Sequence, residues 1–461
     1  MTGRNACPTD CAKVSVAPMD PWESKGKGMA RRRVVITGMG AVTPVGVGVP
    51  EFWKALCAGK SGVDRISLFD AGSFPTRIGA EVRGLDVNAE RAKRPLMSEA
   101  GRNGIFAMVA AEEAFGDSGL AKGRYNPERL GVYLGSGEGV PDIKGFAETL
   151  GAVWHDGAVD QLRMLELGPW KFNRMRELEQ EPNMAGGHIA VAFDAHAVNS
   201  NCLTACAASS QAFGEALEII RHDDADIMIT GGCHSMLHPL GLTGFCLLTA
   251  LGTSNDNPKG ASRPFDMGRN GFILGEGAGM VILEELEHAK ARGARIYAEA
   301  IGYGSSADAW RLTDSHEDGR GAIACMTYAI ADAGIDPGEI DYINAHGTST
   351  KVNDRVETLA VKKVFGERAY KIPMSSTKSM TGHLIAAAGA VELIVCVNAI
   401  LHGIVPPTTN LEEPDPECDL DYVPNVAREH PVDTAMSNSF GFGGQNISLI
   451  VRRYDAGAEG G

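Results

Sequence analysis

An α/β fold of two comparable halves is what this sequence predicts. Strand-like runs alternate with segments of helical period, the alternation starts afresh near residue 293, and 57 glycines punctuate the joints. At 461 residues the chain exceeds one ordinary core, so two α/β units suit its length. A hydrophobic share of 44% with only 6% aromatics fits a compact enzyme rather than a fibrous or disordered chain.

Residues 1–30, with Pro8, Pro18 and Pro21, lack periodicity and read as a flexible extension, with Met29 a candidate working start. The first strand begins at Arg33 and runs to Gly38. It continues into Met39-Gly40-Ala41-Val42-Thr43-Pro44, which imitates a dinucleotide-binding fingerprint. The imitation fails at position 43, which needs glycine or alanine, and Pro44 would break the helix that cradles the phosphates. Helices are expected over 107–118 and 207–220, strands over 130–134 and 227–230, and a helix over 283–289 closes an N-terminal half, 31–292. The C-terminal half, 293–453, reads as strand 296–301, helix 321–333, strand 342–344, helix 354–365, strand 371–375, helix 386–401, and strands 434–438 and 447–453. Residues 454–461 form a flexible tail. Between 139 and 188 a polar segment carrying Trp154, Trp170 and Phe172 interrupts the rhythm, as a cap over a pocket or a contact with another subunit.

The formal charge of -15 argues against a nucleic-acid surface, which needs a basic footprint. Ten cysteines are scattered without C-x-x-C pairs and read as reduced thiols of a cytoplasmic protein. Neither Cys7/Cys11 nor Cys202/Cys206 has a second pair at zinc spacing, so no metal site is expected. No run approaches the roughly 18 consecutive apolar residues of a membrane span.

Chemistry concentrates in four stretches. Cys206 lies in Asn201-Cys202-Leu203-Thr204-Ala205-Cys206-Ala207-Ala208-Ser209-Ser210, just before a helix-like run, where unpaired N–H groups and the helix dipole favour a nucleophilic thiolate. His346 in Asn344-Ala345-His346-Gly347-Thr348-Ser349-Thr350 and His383 in Ser376-Thr377-Lys378-Ser379-Met380-Thr381-Gly382-His383 both follow expected strands, where α/β sheets build their sites. A thiolate can take an acyl group from a thioester, and two neutral imidazoles can hold the oxygen of an enolate. Lys378, among small hydroxyl residues, reads as part of a buried network that fixes the histidines, with Glu357 as its candidate partner. The glycines of Ser437-Asn438-Ser439-Phe440-Gly441-Phe442-Gly443-Gly444-Gln445-Asn446 let a backbone N–H join that of Cys206 as an oxyanion donor.

Together with Ala261-Ser262-Arg263-Pro264-Phe265-Asp266 and Gly271-Phe272-Ile273-Leu274-Gly275-Glu276-Gly277-Ala278-Gly279, these stretches resemble the β-ketoacyl-acyl carrier protein synthases, most closely the type II elongation enzymes, from about residue 33 to 453. The resemblance implies a thiolase-like five-layered αβαβα sandwich of two similar halves, working as a homodimer. It implies that Cys206 accepts the acyl group while His346 and His383 assist malonyl decarboxylation. Lys378 and Glu357 would support the histidines, and Thr348, Thr350 and Phe442 would line the substrate channel. Phe440 would act as gate and backbone oxyanion donor. Substrates would arrive as acyl and malonyl thioesters on the phosphopantetheine of an acyl carrier protein, with no dissociable cofactor. Arg91, Lys93, Arg94 and Arg102 are the expected dock for an acidic carrier, by charge complementarity.

A degradative thiolase would need a second cysteine in the last glycine-rich loop, where none stands. A type II polyketide ketosynthase shares every catalytic residue and remains the alternative. A chain-length-factor-like partner subunit would lack the nucleophile.

Overall fold

The computed structural model describes residues 31–456. The expected extension 1–30, with Cys7, Cys11 and Met29, and residues 457–461 of the expected tail lie outside the described residues. In chain order the main strands are β1 (Val34–Thr43), β2 (Leu130–Ser136), β3 (Asn199–Cys202), β4 (Ile227–His234), β5 (Gly277–Glu285), β6 (Ala298–Ala307), β7 (Tyr342–Asn344), β8 (Met374–Ser375), β9 (Thr434–Phe440) and β10 (Gln445–Arg452). The helices that position the site are α1 (Arg102–Asp117), α2 (Ala208–Arg221), α3 (Arg320–Ala333), α4 (Lys351–Phe365) and α5 (Ala388–His402).

One sheet runs β8-β7-β9-β10-β6-β1-β5-β4-β2-β3, and its two sides follow the same plan. On one side β1 pairs antiparallel with β5, β5 antiparallel with β4, and β4, β2 and β3 run parallel. On the other, β6 pairs antiparallel with β10, β10 antiparallel with β9, and β9, β7 and β8 run parallel. Even an irregularity repeats, with register slips between Ile36 and Gly38 and between Ala300 and Gly302. The sides meet where Val34 pairs with Ala300 and Ile36 with Ala298.

Because helices cover both faces, β1, β4 and β5 are buried at every position and read as continuous apolar runs rather than alternations. Helix α1 packs outside β1 and β5, while α3 packs outside β6 and β10, with α4 beside it. Between the sheet's two sides lie α2 and α5, in contact with each other, which completes five layers. A Cβ at Gly389 would stand 1.9 Å from Ser210 Oγ, so the close crossing of α5 over α2 requires glycine there. Helix α5 is buried from Ala388 to Ile400.

Three sequence expectations need correction. Residues 283–285 belong to β5, and the helix that follows covers Leu286–Ala291. Glycines at the start of β5 and its burial on both faces hid its strand character. The stretch Ile385–His402 does reach the length and apolarity of a membrane span, with mean hydropathy 1.9, but 89% of it is buried as the central layer. Helix α1 starts at Arg102, ahead of the predicted 107. The 139–188 segment folds into helices Ile143–Val153, Gln161–Lys171 and Arg174–Leu178, with Trp154 and Trp170 exposed.

Candidate active site

After β3 the chain turns sharply into α2. Ala205 takes a left-handed φ of 47°, a strained value for a residue with a Cβ, and a single 3₁₀ turn, Ala205–Ala207, delivers Cys206 to the helix entrance. The same device opens α5: Ile385 also has φ 47° and begins the 3₁₀ turn Ile385–Ala387. Cys206 is 3% exposed. Burial pushes its thiol up to about 11, outweighing the Lys378 ammonium and the backbone N–H groups of Phe442 and of Cys206 itself, which pull downward. This corrects the expectation of a resting thiolate: desolvation exceeds what the helix entrance offers, and the sulfur rests as a thiol.

Each histidine is fixed by its backbone. Glu357, buried on α4, accepts N–H bonds from His346 (2.9 Å) and Gly347 (2.8 Å), and Ser376 Oγ donates to the Gly347 carbonyl at 2.6 Å. The His383 N–H donates to the Ile273 carbonyl (2.7 Å) and the His383 carbonyl accepts from Gly275 (2.9 Å), so the Gly271–Gly279 motif clamps this histidine in place. His383 Nδ1 accepts the Ile385 N–H at 3.2 Å, which leaves the ring proton on Nε2. The two rings stand 5.4 Å apart at 82°. One ligand atom from each of Cys206, His346 and His383 falls within 4.8 Å of the others. The set has donor types that suit a soft divalent ion, but the Ile385 bond turns an N–H of His383, rather than a lone pair, into the site.

Burial holds both imidazoles well below their ordinary value, reinforced by the Lys378 charge and, for His346, by His383 and, for His383, by His234. Both are neutral at neutral pH. Lys378 is 1% exposed, and its Nζ donates to Glu392 on α5 rather than to Glu357. The expected Lys378–Glu357 pairing is thereby corrected, because Glu357 is occupied by the loop amides of His346 and Gly347. Burial raises the carboxyls of both Glu357 and Glu392 to about 7. Glu392 escaped the sequence reading; its signal was a lone carboxylate in an otherwise apolar helix.

A cavity of about 500 Å³ joins these groups, lined by Cys206, Phe272, His346, Thr348, His383 and Phe442 among others. Thr348 and Thr350, bonded to each other at 2.9 Å, lie on its wall as expected. Phe440 also lines the cavity, but it ends β9 with its ring 5.6 Å from that of His346, and it is the Phe442 amide that reaches the Cys206 sulfur. The Phe442 amide, past the strand end in the glycine turn, is thus the neighbour of the sulfur that a backbone oxyanion donor requires, while both Phe440 and Phe442 line the cavity. Among the lining residues none comes from 139–188.

The expected docking patch is largely spent within the chain. Arg91 donates to the Ala100 carbonyl and Asn88, Arg94 pairs with Glu90 and Glu112, and Arg102 pairs with buried Glu276. Lys93 alone extends, at 65% side-chain exposure, and it too pairs with Glu90.

A buried thiol facing two neutral imidazoles, at the strand ends of a duplicated α/β sandwich, defines an acyl-transferring condensing enzyme of thiolase-like fold. Family models of the β-ketoacyl synthase N-terminal domain and C-terminal domain match residues 31–289 and 297–412. The chain belongs to the β-ketoacyl synthase family. It is 48% identical over 431 residues to 3-oxoacyl-[acyl-carrier-protein] synthase 2 of Coxiella burnetii, covering 92% of this chain and 99% of the relative. It is 42% identical over 430 residues to the protein of the same name from Synechocystis sp., with the same coverage. Among solved structures it resembles a type II PKS ketosynthase in complex with its acyl-carrier protein (37% identity, TM-score 0.82, 92% of this chain and 100% of that chain). A β-ketoacyl synthase from Burkholderia phymatum is similar at 35% identity and TM-score 0.80, with the same coverage.

Proposed function

We propose that this chain, working in the cytoplasm without a dissociable cofactor, is a β-ketoacyl-acyl carrier protein synthase of fatty-acid elongation. The observation that carries the reading is the convergence of Cys206, His346 and His383 on one cavity. Cys206 Sγ attacks the carbonyl of an acyl thioester, and the oxyanion accepts the N–H groups of Cys206 and Phe442. The carrier leaves as its thiol, taking the Cys206 proton, and the acyl group stays on sulfur. Malonyl thioester then enters. Its carboxylate leaves as CO₂, the electron pair of the broken C–C bond passes into an enolate, and His383 Nε2–H with His346 donates to the enolate oxygen. The α-carbon attacks the acyl carbonyl, the Cys206 thiolate departs and regains a proton, and the β-ketoacyl thioester is released. Neutral imidazoles suit this work, since they stabilise the oxyanion without surrendering a full proton.

Incubation with an acyl carrier thioester should add one acyl mass to the intact protein, and Cys206→Ala should add none. An adduct that persists in Cys206→Ala would remove the nucleophile assignment. The likeness to a type II PKS ketosynthase favours one second reading, a polyketide ketosynthase, and the product profile over a panel of acyl carriers separates the two. A homodimer belongs to the proposal as well: the sheet ends at β3, where a second copy can pair, and native mass spectrometry of the same sample reads the subunit number.

A further inference from the structure

Strands β2 and β4 run parallel and finish together, at Ser136 and His234, beside the turn that carries Cys206. Side chains alternate along a strand, so His234 shares a face with Gly232. A Cβ at Gly232 would stand 2.6 Å from Ser209 Cβ and 2.8 Å from the Ala386 carbonyl, which sets that face against the turns that follow Cys206 and His383. The His234 ring lies over Gly137, where a Cβ would come within 2.4 Å of Nδ1, and close enough to His383 to disfavour a charge there. It is 3% exposed, and among the described residues neither Nδ1 nor Nε2 has a hydrogen-bond partner. Neighbouring polar groups are engaged elsewhere. Ser136 Oγ donates to the Pro182 carbonyl, Ser235 Oγ donates to Glu276, and His238 Nδ1 accepts the Gly241 N–H.

A buried polar group without a partner is destabilising, and native proteins retain few of them. This one borders an otherwise apolar wall: Cys206 packs with Leu237, Leu242, Phe272 and Ile385, and half-buried Met236 and Phe245 lie against that cluster. We propose that His234 hydrogen-bonds a ketone or hydroxyl oxygen on the acyl chain held by Cys206, making oxygen-bearing chains a further substrate class beside saturated ones. The proposal rests on the condensing-enzyme reading and adds to it what the acyl group carries. A neutral imidazole offers one N–H and one lone pair, so it donates to a ketone and either donates to or accepts from a hydroxyl. A saturated chain leaves both nitrogens bare. Met236, unbranched and adaptable, can turn aside as the chain enters.

The rate of Cys206 acylation, read by intact mass, tests this with carrier thioesters of one chain length: saturated, or bearing a single ketone or hydroxyl at successive carbons. Wild type should favour the oxygenated chain over the saturated one by about tenfold at one or two neighbouring positions. His234→Leu should abolish that preference, and His234→Gln, which keeps a donor and an acceptor, should retain most of it. A wild type that prefers no oxygen position overturns the proposal, whatever the variants do. A preference that His234→Leu leaves intact overturns it as well, since the ring then binds internal water alone. So does an equal loss on every chain in both variants, which marks a structural residue. Should the wild-type protein take an acyl group from none of the thioesters, the condensing-enzyme reading itself falls.

Discussion

Removing Glu392 strands an ammonium in the protein interior. Lys378 and Glu392 are 1% and 2% exposed, and at pH 8, above the Glu392 value of about 7, each is the other's charged partner, so the comparison is made there. Breaking such a pair leaves one uncompensated buried charge, at a cost of about 3–5 kcal/mol, whereas replacing both members with apolar side chains of similar size is often near neutral. Glu392→Leu and Lys378→Met should therefore each lower stability by about 3–5 kcal/mol, and the double variant should lie within about 2 kcal/mol of wild type. The cycle should then report a coupling of at least about 4 kcal/mol. Urea unfolding of the four proteins, followed by fluorescence of buried Trp53, supplies the numbers. Additive losses, or single variants that cost less than about 1 kcal/mol, would refute the account of Lys378 as a charge that depends on Glu392. Burial is the first cause of the depressed His346 and His383 values, so both rings should stay neutral in the double variant, and Cys206 acylation should survive.

Two further outcomes follow from named contacts. Glu357→Ala deprives the buried His346 and Gly347 N–H groups of their acceptor, at about 1–3 kcal/mol each, and should release His346 from its position, while Glu357→Gln keeps an acceptor and most of the condensation rate. Indistinguishable Ala and Gln variants, in unfolding and in rate, would sink this role. His234 is buried with neither ring nitrogen bonded to a protein group, and burial lowers it from 6.5 to about 3. The unfolded chain binds its proton between those limits, so the stability linked to this group is complete above 6.5 and is lost as pH falls, by about 2 kcal/mol at pH 5. His234→Leu should lose less stability than wild type between pH 7 and pH 5, and equal losses would contradict the assignment.

Much of the site was readable because its chemistry sits at strand ends. Cys206 and His346 follow strands within small-residue loops, and His383 follows β8 after the short helix Lys378–Thr381; local sequence marks such places well. Partners contributed from other elements were harder. Glu357 lies on the helix after its own loop and was found, though for Lys378 instead of the His346 and Gly347 amides; Glu392 comes from the buried α5, distant in sequence, where a lone carboxylate in an apolar helix is the one local sign and names no partner. Choosing between Phe440 and Phe442 depended on where β9 stops, a boundary that periodicity places poorly when every β9 residue is buried. The thiol's protonation hung on desolvation, which no local motif encodes. Strands β3 and β5 were missed for a related reason: one is short and polar, and the other opens on glycines.

The seam where Val34 and Ile36 meet Ala300 and Ala298 makes each half the cover for the other's open backbone. Separated at residue 292, both pieces would expose an unsatisfied row of amides and carbonyls, a template for indiscriminate strand addition. Linkage in a single polypeptide keeps the matching edge always at hand, so repeated units that could have drifted apart as independent subunits are bound to fold, and to be inherited, together.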